Sequence, residues 1–130
     1  MSAHTIEFSI PTGEVISANG REHHMTKARK TKLIRETARA RASVVANGRY
    51  VVPLVDRGHV TVSIGWQPLK RTRDADNLAP TVKAAIDGFV DAGVFANDDD
   101  KHRLSTTYTT YPRSEAGRVW LRFVITEVEP

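Results

Sequence analysis

The sequence predicts a single α+β domain, a mixed β-sheet carrying two main helices in the order β-α-β-α-β-β. Three observations lead there. Residues 4–10 and 59–66 alternate apolar and polar side chains with the period of a half-buried strand. Val82, Ala85, Ile86, Phe89 and Val90 follow the i, i+3, i+4, i+7, i+8 spacing of an amphipathic helix. The chain has 130 residues, 40% of them apolar, and shows no repeat or linker, so residues 1–130 read as one domain with a real core.

Each element has its own signal. In the first strand, Ile6, Phe8 and Ile10 share a face, and Pro11-Thr12-Gly13 ends it. Residues 15–24 read as a loop around Ser17-Ala18-Asn19-Gly20. Thr26 is placed to cap a helix from Lys27 to Ala46, with Asn47-Gly48 as its stop and Leu33, Ala40, Val44 and Val45 as its apolar positions. Residues 49–55 can add a short strand. Arg57-Gly58 is a turn before the strand His59–Trp66, closed by Pro68, in which Val60, Val62 and Ile64 share a face unless both faces are buried. Pro80 fits the first turn of the second helix, where its missing donor has no partner to lose. Gly93 suits the left-handed position past that helix's end. Leu104–Tyr111 and Arg118–Val128 are two further strands, joined around Pro112–Gly117.

Composition narrows the function. The formal charge is +4 and the pI about 9.7. Eight Lys/Arg between Arg21 and Arg41 face only Glu22 and Glu36, an excess of six positive charges, whereas the rest of the chain has 11 bases and 13 acids. The positive charge therefore belongs to one segment, as a local polyanion-binding surface requires. No cysteine is present, which excludes disulfides, thiolate zinc sites and cysteine nucleophiles. The N-terminus lacks a signal-peptide pattern, and no apolar run approaches the roughly 20 residues of a membrane span. The expectation is an intracellular, cytoplasmic protein with no membrane partner.

Within this basic chain the acids cluster. Asp74 and Asp76 lie in Lys70-Arg71-Thr72-Arg73-Asp74-Ala75-Asp76-Asn77, and Asn97-Asp98-Asp99-Asp100 follows one helix later. Gathered carboxylates repel unless a cation holds them. Mg²⁺ favours such all-oxygen sites and keeps waters for chemistry. On extended backbone Asp74 and Asp76 point to one side and can share an ion. Lys83, seven residues past Asp76, lies about two helical turns on and can face the same pocket. The plainer alternatives are a solvated acidic turn with Asp76 or Asn77 as helix cap, and a surface Lys83 paired with Asp87. No calcium loop, HExxH or phosphate-cradling glycine motif occurs, and His23, His24, His59 and His102 do not form a zinc set. The leading expectation is a metal-dependent enzyme acting on nucleic-acid phosphodiesters.

The ordered set Arg71-Thr72-Arg73-Asp74-Ala75-Asp76-Asn77-Leu78, Lys83-Ala84-Ala85-Ile86-Asp87, Asp91-Ala92-Gly93-Val94-Phe95 and the acidic loop resembles the RusA family of Holliday junction resolvases. About 30 residues match closely, and Ser17-Ala18-Asn19-Gly20-Arg21 resembles the family's Asn-containing loop more loosely. The resemblance implies a RusA-like homodimeric endonuclease that needs Mg²⁺ and cuts four-way DNA junctions. It carries the metal ligands to Asp74, Asp76 and Asp98, with Asp99 and Asp100 as rivals for the third, and the catalytic lysine to Lys83. This chain holds three additional residues, Ala79-Pro80-Thr81, ahead of that lysine. Arg21, Lys27, Arg29 and Lys30 are the candidates for holding DNA arms, with Arg71 and Arg73 nearer the scissile phosphate. A non-catalytic DNA-binding module, or a nuclease of the same chemistry acting on other branched DNA, is the alternative.

Overall fold

A computed structural model of the protein describes residues 3–18, 21–47, 58–66, 76–95, 103–112 and 115–127. Among them the elements run β1 (Ala3–Pro11), a 3₁₀ turn (Thr12–Glu14), α1 (His24–Asn47), β2 (Gly58–Gly65), a 3₁₀ turn (Asp76–Leu78), α2 (Ala79–Asp91), β3 (Arg103–Thr110) and β4 (Arg118–Glu127). This is an α+β domain with two helices and a four-stranded mixed sheet. The expected extra strand at 49–55 and the closure at Pro68 lie outside the described residues.

The sheet order is β1-β4-β2-β3. β4 runs antiparallel to both neighbours, with Phe123 opposite Ile6 on one side and Val62 on the other. β2 and β3 are parallel. A parallel pair needs a long crossover, and α2 lies within it. One face of the sheet is apolar: Ile6, Phe8, Ile10, Val60, Val62, Ile64, Val119, Leu121, Phe123 and Ile125 are all buried. The intervening residues, Glu7, Ser9, His59, Thr61, Ser63 and Arg122 among them, are half-buried or exposed on the other face. β2 is thus apolar on one face only.

α2 packs against this apolar face and against α1, which also reaches β1, where the Arg41 Nε–H donates to the Glu7 carbonyl at 3.3 Å. Val82, Ala85, Ile86 and Phe89 of the expected α2 stripe are buried and Val90 partly so, and the Phe89 ring meets Phe123 edge-on with centroids 4.8 Å apart. Its other side meets α1 at Gly88. A Cβ there would stand 2.3 Å from the Arg35 carbonyl oxygen and 3.0 Å from the Ala38 Cβ, so the two backbones nearly touch. The helix ends at Ala92, and Gly93 takes φ 86°, as its position in the sequence suggested.

α1 departs from expectation twice. Its buried stripe is Ile34, Ala38 and Ala42, whereas Leu33 is 38% exposed, Val44 69% exposed, and Ala40 also faces solvent. The Val45 side chain lies outside the described residues. Close approach to Gly88 selects small side chains, and size outranks hydrophobicity at such a crossing. The helix also begins earlier than Lys27. His23, not Thr26, supplies the cap: its Nδ1 accepts the Met25 N–H at 3.2 Å and its carbonyl accepts the Lys27 N–H at 3.0 Å.

Farther along, Arg35 clasps Asp91 through Nε–Oδ2 at 2.6 Å and Nη2–Oδ1 at 2.8 Å. The hydrogen-bonded Arg35 guanidinium holds the Asp91 carboxyl below its ordinary range; partial desolvation opposes this, and the charges of Arg35 and Arg39 add to it. A depressed native pKa gives stability that is present above the unfolded value and lost as pH falls through the native one. Asp91→Asn should therefore lower stability by about 0.5–1 kcal/mol at neutral pH. In urea titrations at stepped pH, the gap to the parent should close below about pH 4. Gly88→Ala should lower stability by about 2 kcal/mol or more in the same assay, despite alanine's better helix propensity, because a backbone carbonyl occupies the space.

Candidate functional site

The acidic segment enters the described structure at Asp76. Residues 76–78 form a 3₁₀ turn whose last residue, Leu78, is buried and pins the turn to the core. Leu78 occupies the cap position of α2 and makes no side-chain hydrogen bond there, so the position that the plainer reading gave to Asp76 or Asn77 falls to an apolar residue. Pro80 sits in the first turn of α2, as its chemistry allows.

A second segment is fastened to this turn. Ile16 is buried in the loop ahead of α1. Its N–H donates to the Thr81 hydroxyl oxygen at 2.8 Å, and that hydroxyl donates to the Ile16 carbonyl at 2.9 Å. Two residues on, the Ala18 N–H donates to the Asn77 carbonyl at 2.7 Å. A buried peptide group needs both partners, and one fully buried threonine supplies them across 65 residues of sequence. Composition and motif reading did not single out Ile16 or Thr81; a lone threonine in a helix's first turn carries no long-range signal.

These contacts orient both helices. Residues 16 and 18 meet 81 and 77, while residues 35 and 38 meet 88 and 91. The contacts ascend together along the chain, so the two helices run in the same general direction and the loop ahead of α1 passes beside the start of α2. Helix N-termini carry partial positive charge, which adds to the basic residues there.

The predicted residues divide as follows. Asp76 lies on the turn. Lys83 is on the exposed side of α2, its Nζ 3.4 Å from Asp87 Oδ1, the i+4 pair of the plainer reading. Arg21 and Lys27 are exposed. Arg29 meets Glu14 at 3.3 Å, and Lys30 pairs with Glu22. Both of those bases thus hold the segment ahead of α1 onto the helix. Asp74, Arg71, Arg73, Asp98, Asp99 and Asp100 lie outside the described residues. Among the described residues no three His, Asp or Glu gather around a possible metal position. Asp76 and Phe95 flank opposite ends of α2, whose 13 residues rise about 20 Å. No helix among the described residues is long and apolar enough to cross a membrane.

Comparison with known proteins gives no match: no family model fits the chain, and no curated protein does.

The Thr81 fastening is directly testable. Thr81→Val keeps the shape but leaves the Ile16 N–H and carbonyl without partners, and should destabilise the fold by roughly 2–4 kcal/mol in chemical denaturation. Thr81→Ser keeps the hydroxyl and should stay within about 1 kcal/mol of the parent.

Proposed function

We propose that the protein is a Mg²⁺-dependent, structure-specific endodeoxyribonuclease that resolves four-way DNA junctions as a homodimer, in DNA recombination, repair or phage DNA processing. The observation that carries this reading is the fastening of the 15–18 loop onto the Asp76–Thr81 turn. It supports a site in which the basic start of α1 and the acidic turn face one substrate. The sequence pattern shared with the RusA family supplies the reaction class.

The donor chemistry fits a hard divalent ion. Asp74, Asp76 and Asp98 are all carboxylate oxygen donors, and all-oxygen sets suit Mg²⁺. Asp74, Asp76 and Asp98 would hold the metal. When bound, it would supply a nucleophilic water at neutral pH and neutralise charge on the leaving oxygen. The chain's own groups do the rest. Lys83, exposed on α2, places an ammonium where negative charge grows on a phosphate oxygen. Arg21 and Lys27, with Arg71 and Arg73, hold DNA backbone without reading bases. A four-way junction has approximate twofold symmetry, and a C₂ dimer presents two sites in matching geometry.

Purified protein given a labelled four-way junction should produce paired symmetric nicks with Mg²⁺ and none with chelator. Asp74→Asn and Asp76→Asn should abolish cleavage while leaving DNA binding, and Lys83→Met should slow turnover by about 10²–10³-fold. Full turnover in either aspartate variant sinks the site assignment. Salt-sensitive DNA binding by the parent with no metal-dependent nicking would favour a non-catalytic DNA-binding module. Faster cutting of flaps than of junctions would make it a nuclease for other branched DNA.

A further inference from the structure

The basic segment is not uniform. Arg29 and Lys30 are taken up by Glu14 and Glu22, and Arg35 by Asp91. α1 contains one acid, Glu36. Although Glu36 follows Lys32 by four residues, the two do not pair. No carboxylate among the described residues lies within 4.0 Å of Lys27 or Lys32.

Those two lysines line one open groove of about 520 Å³, together with His24, Ala28, Thr31 and Arg35. Ala28 gives a low floor. The Thr31 hydroxyl is turned back onto the Lys27 carbonyl at 2.8 Å, so it does not fill the groove. The groove lies on the first half of α1, the half that follows the loop fastened to Asn77 and Thr81. Lys27 and Lys32 are separated along the helix axis by about 7.5 Å and around it by about 140°, so they stand on opposite edges of the groove and a strand lying in it meets an ammonium on each side.

We infer that this groove on the first half of α1 is a phosphate-tracking site for a nucleic-acid strand, with Lys27 and Lys32 as its contacts and Arg29 and Lys30 as internal pegs. The assignment rests on the endonuclease reading only for the identity of the polyanion. It keeps Lys27 from the expected DNA contacts, sets Arg29 and Lys30 aside as paired, and adds Lys32. Lys32 had not been singled out, because spacing alone cannot tell a paired base from an unpaired one. An acidic protein segment is the competing occupant. Lysine stems and Ala28 make the floor largely apolar, but every charged group on the lining is basic and no carboxylate belongs to it, a charge pattern that favours a polyanion.

The test measures affinity of the full chain for a fluorescent four-way junction in EDTA, across a salt series, so that cleavage plays no part. Lys27→Ala/Lys32→Ala should shrink the magnitude of the log–log salt slope by about 2 and weaken binding some tens-fold at 0.1 M salt. Lys27→Arg/Lys32→Arg should restore the slope. Arg29→Ala/Lys30→Ala should change it by less than about 0.5. Circular dichroism of each variant confirms the fold. An unchanged slope in the Lys27/Lys32 alanine variant overturns the assignment, even if the parent cuts junctions. A loss of slope in a protein that cuts nothing supports the groove and defeats the nuclease reading. A poly-glutamate peptide of equal charge that binds more tightly than DNA, and loses its binding in the same variant, also overturns the assignment.

Discussion

The peptide group of Ile16 is the point on which the arrangement turns. It is buried, and a buried N–H and carbonyl left without partners would cost several kcal/mol. The Thr81 hydroxyl meets both. One side chain thereby ties the approach to α1 to the start of α2, and the bond from Ala18 to Asn77 extends the tie to the residue next to Asp76. Without it, the basic helix and the acidic turn would be two separate surface features.

The rest of the packing holds that end in place. α2 is fixed to the sheet by Phe89 against Phe123, and to α1 by the near-contact of Gly88 with the Arg35 carbonyl and Ala38. Arg35 and Asp91 close the far end of the helix pair. Glu14 and Glu22, through Arg29 and Lys30, hold the segment that leads into α1. Charge on α1 is therefore divided between bases paired within the fold and bases, Lys27 and Lys32 among them, with no carboxylate within 4.0 Å among the described residues.

Much of this was legible in the residues, and the rest was hidden for physical reasons. Period-two alternation gave the inner faces of β1 and β2, because side-chain direction in a strand follows from sequence parity. The apolar spacing of α2 gave its buried stripe, and Gly93 marked its end. α1 was misread: a helix packed through Ile34, Ala38 and Ala42 against a glycine has its inner face chosen by bulk, so Leu33 and Val44, the more apolar residues, lie outside. The cap at His23 was missed because histidine rarely plays that part and Thr26 offered the usual chemistry. The Thr81–Ile16 bonds and the pairings of Arg29 and Lys30 join residues distant in sequence or on separate turns, and no local pattern encodes them. The sheet order β1-β4-β2-β3 likewise depends on which strands meet in space. In the acidic motif, the spacing of Asp74 and Asp76 and the resemblance it carries give the expectation of a metal, while spacing encodes only local placement and says nothing of which distant segment would supply the proposed third ligand.

The most direct measurement of the central claim is a Mn²⁺ titration followed by amide NMR, with Mn²⁺ as a paramagnetic stand-in for Mg²⁺. A shared ion held at the Asp76 turn should broaden the amides of Ala18, Asn77 and Lys83 ahead of those of β4 and the far end of α1, and Asp76→Asn should remove that selectivity. Broadening centred elsewhere, or equal in the parent and the variant, would contradict a metal site at the meeting point of the acidic turn and the basic helix.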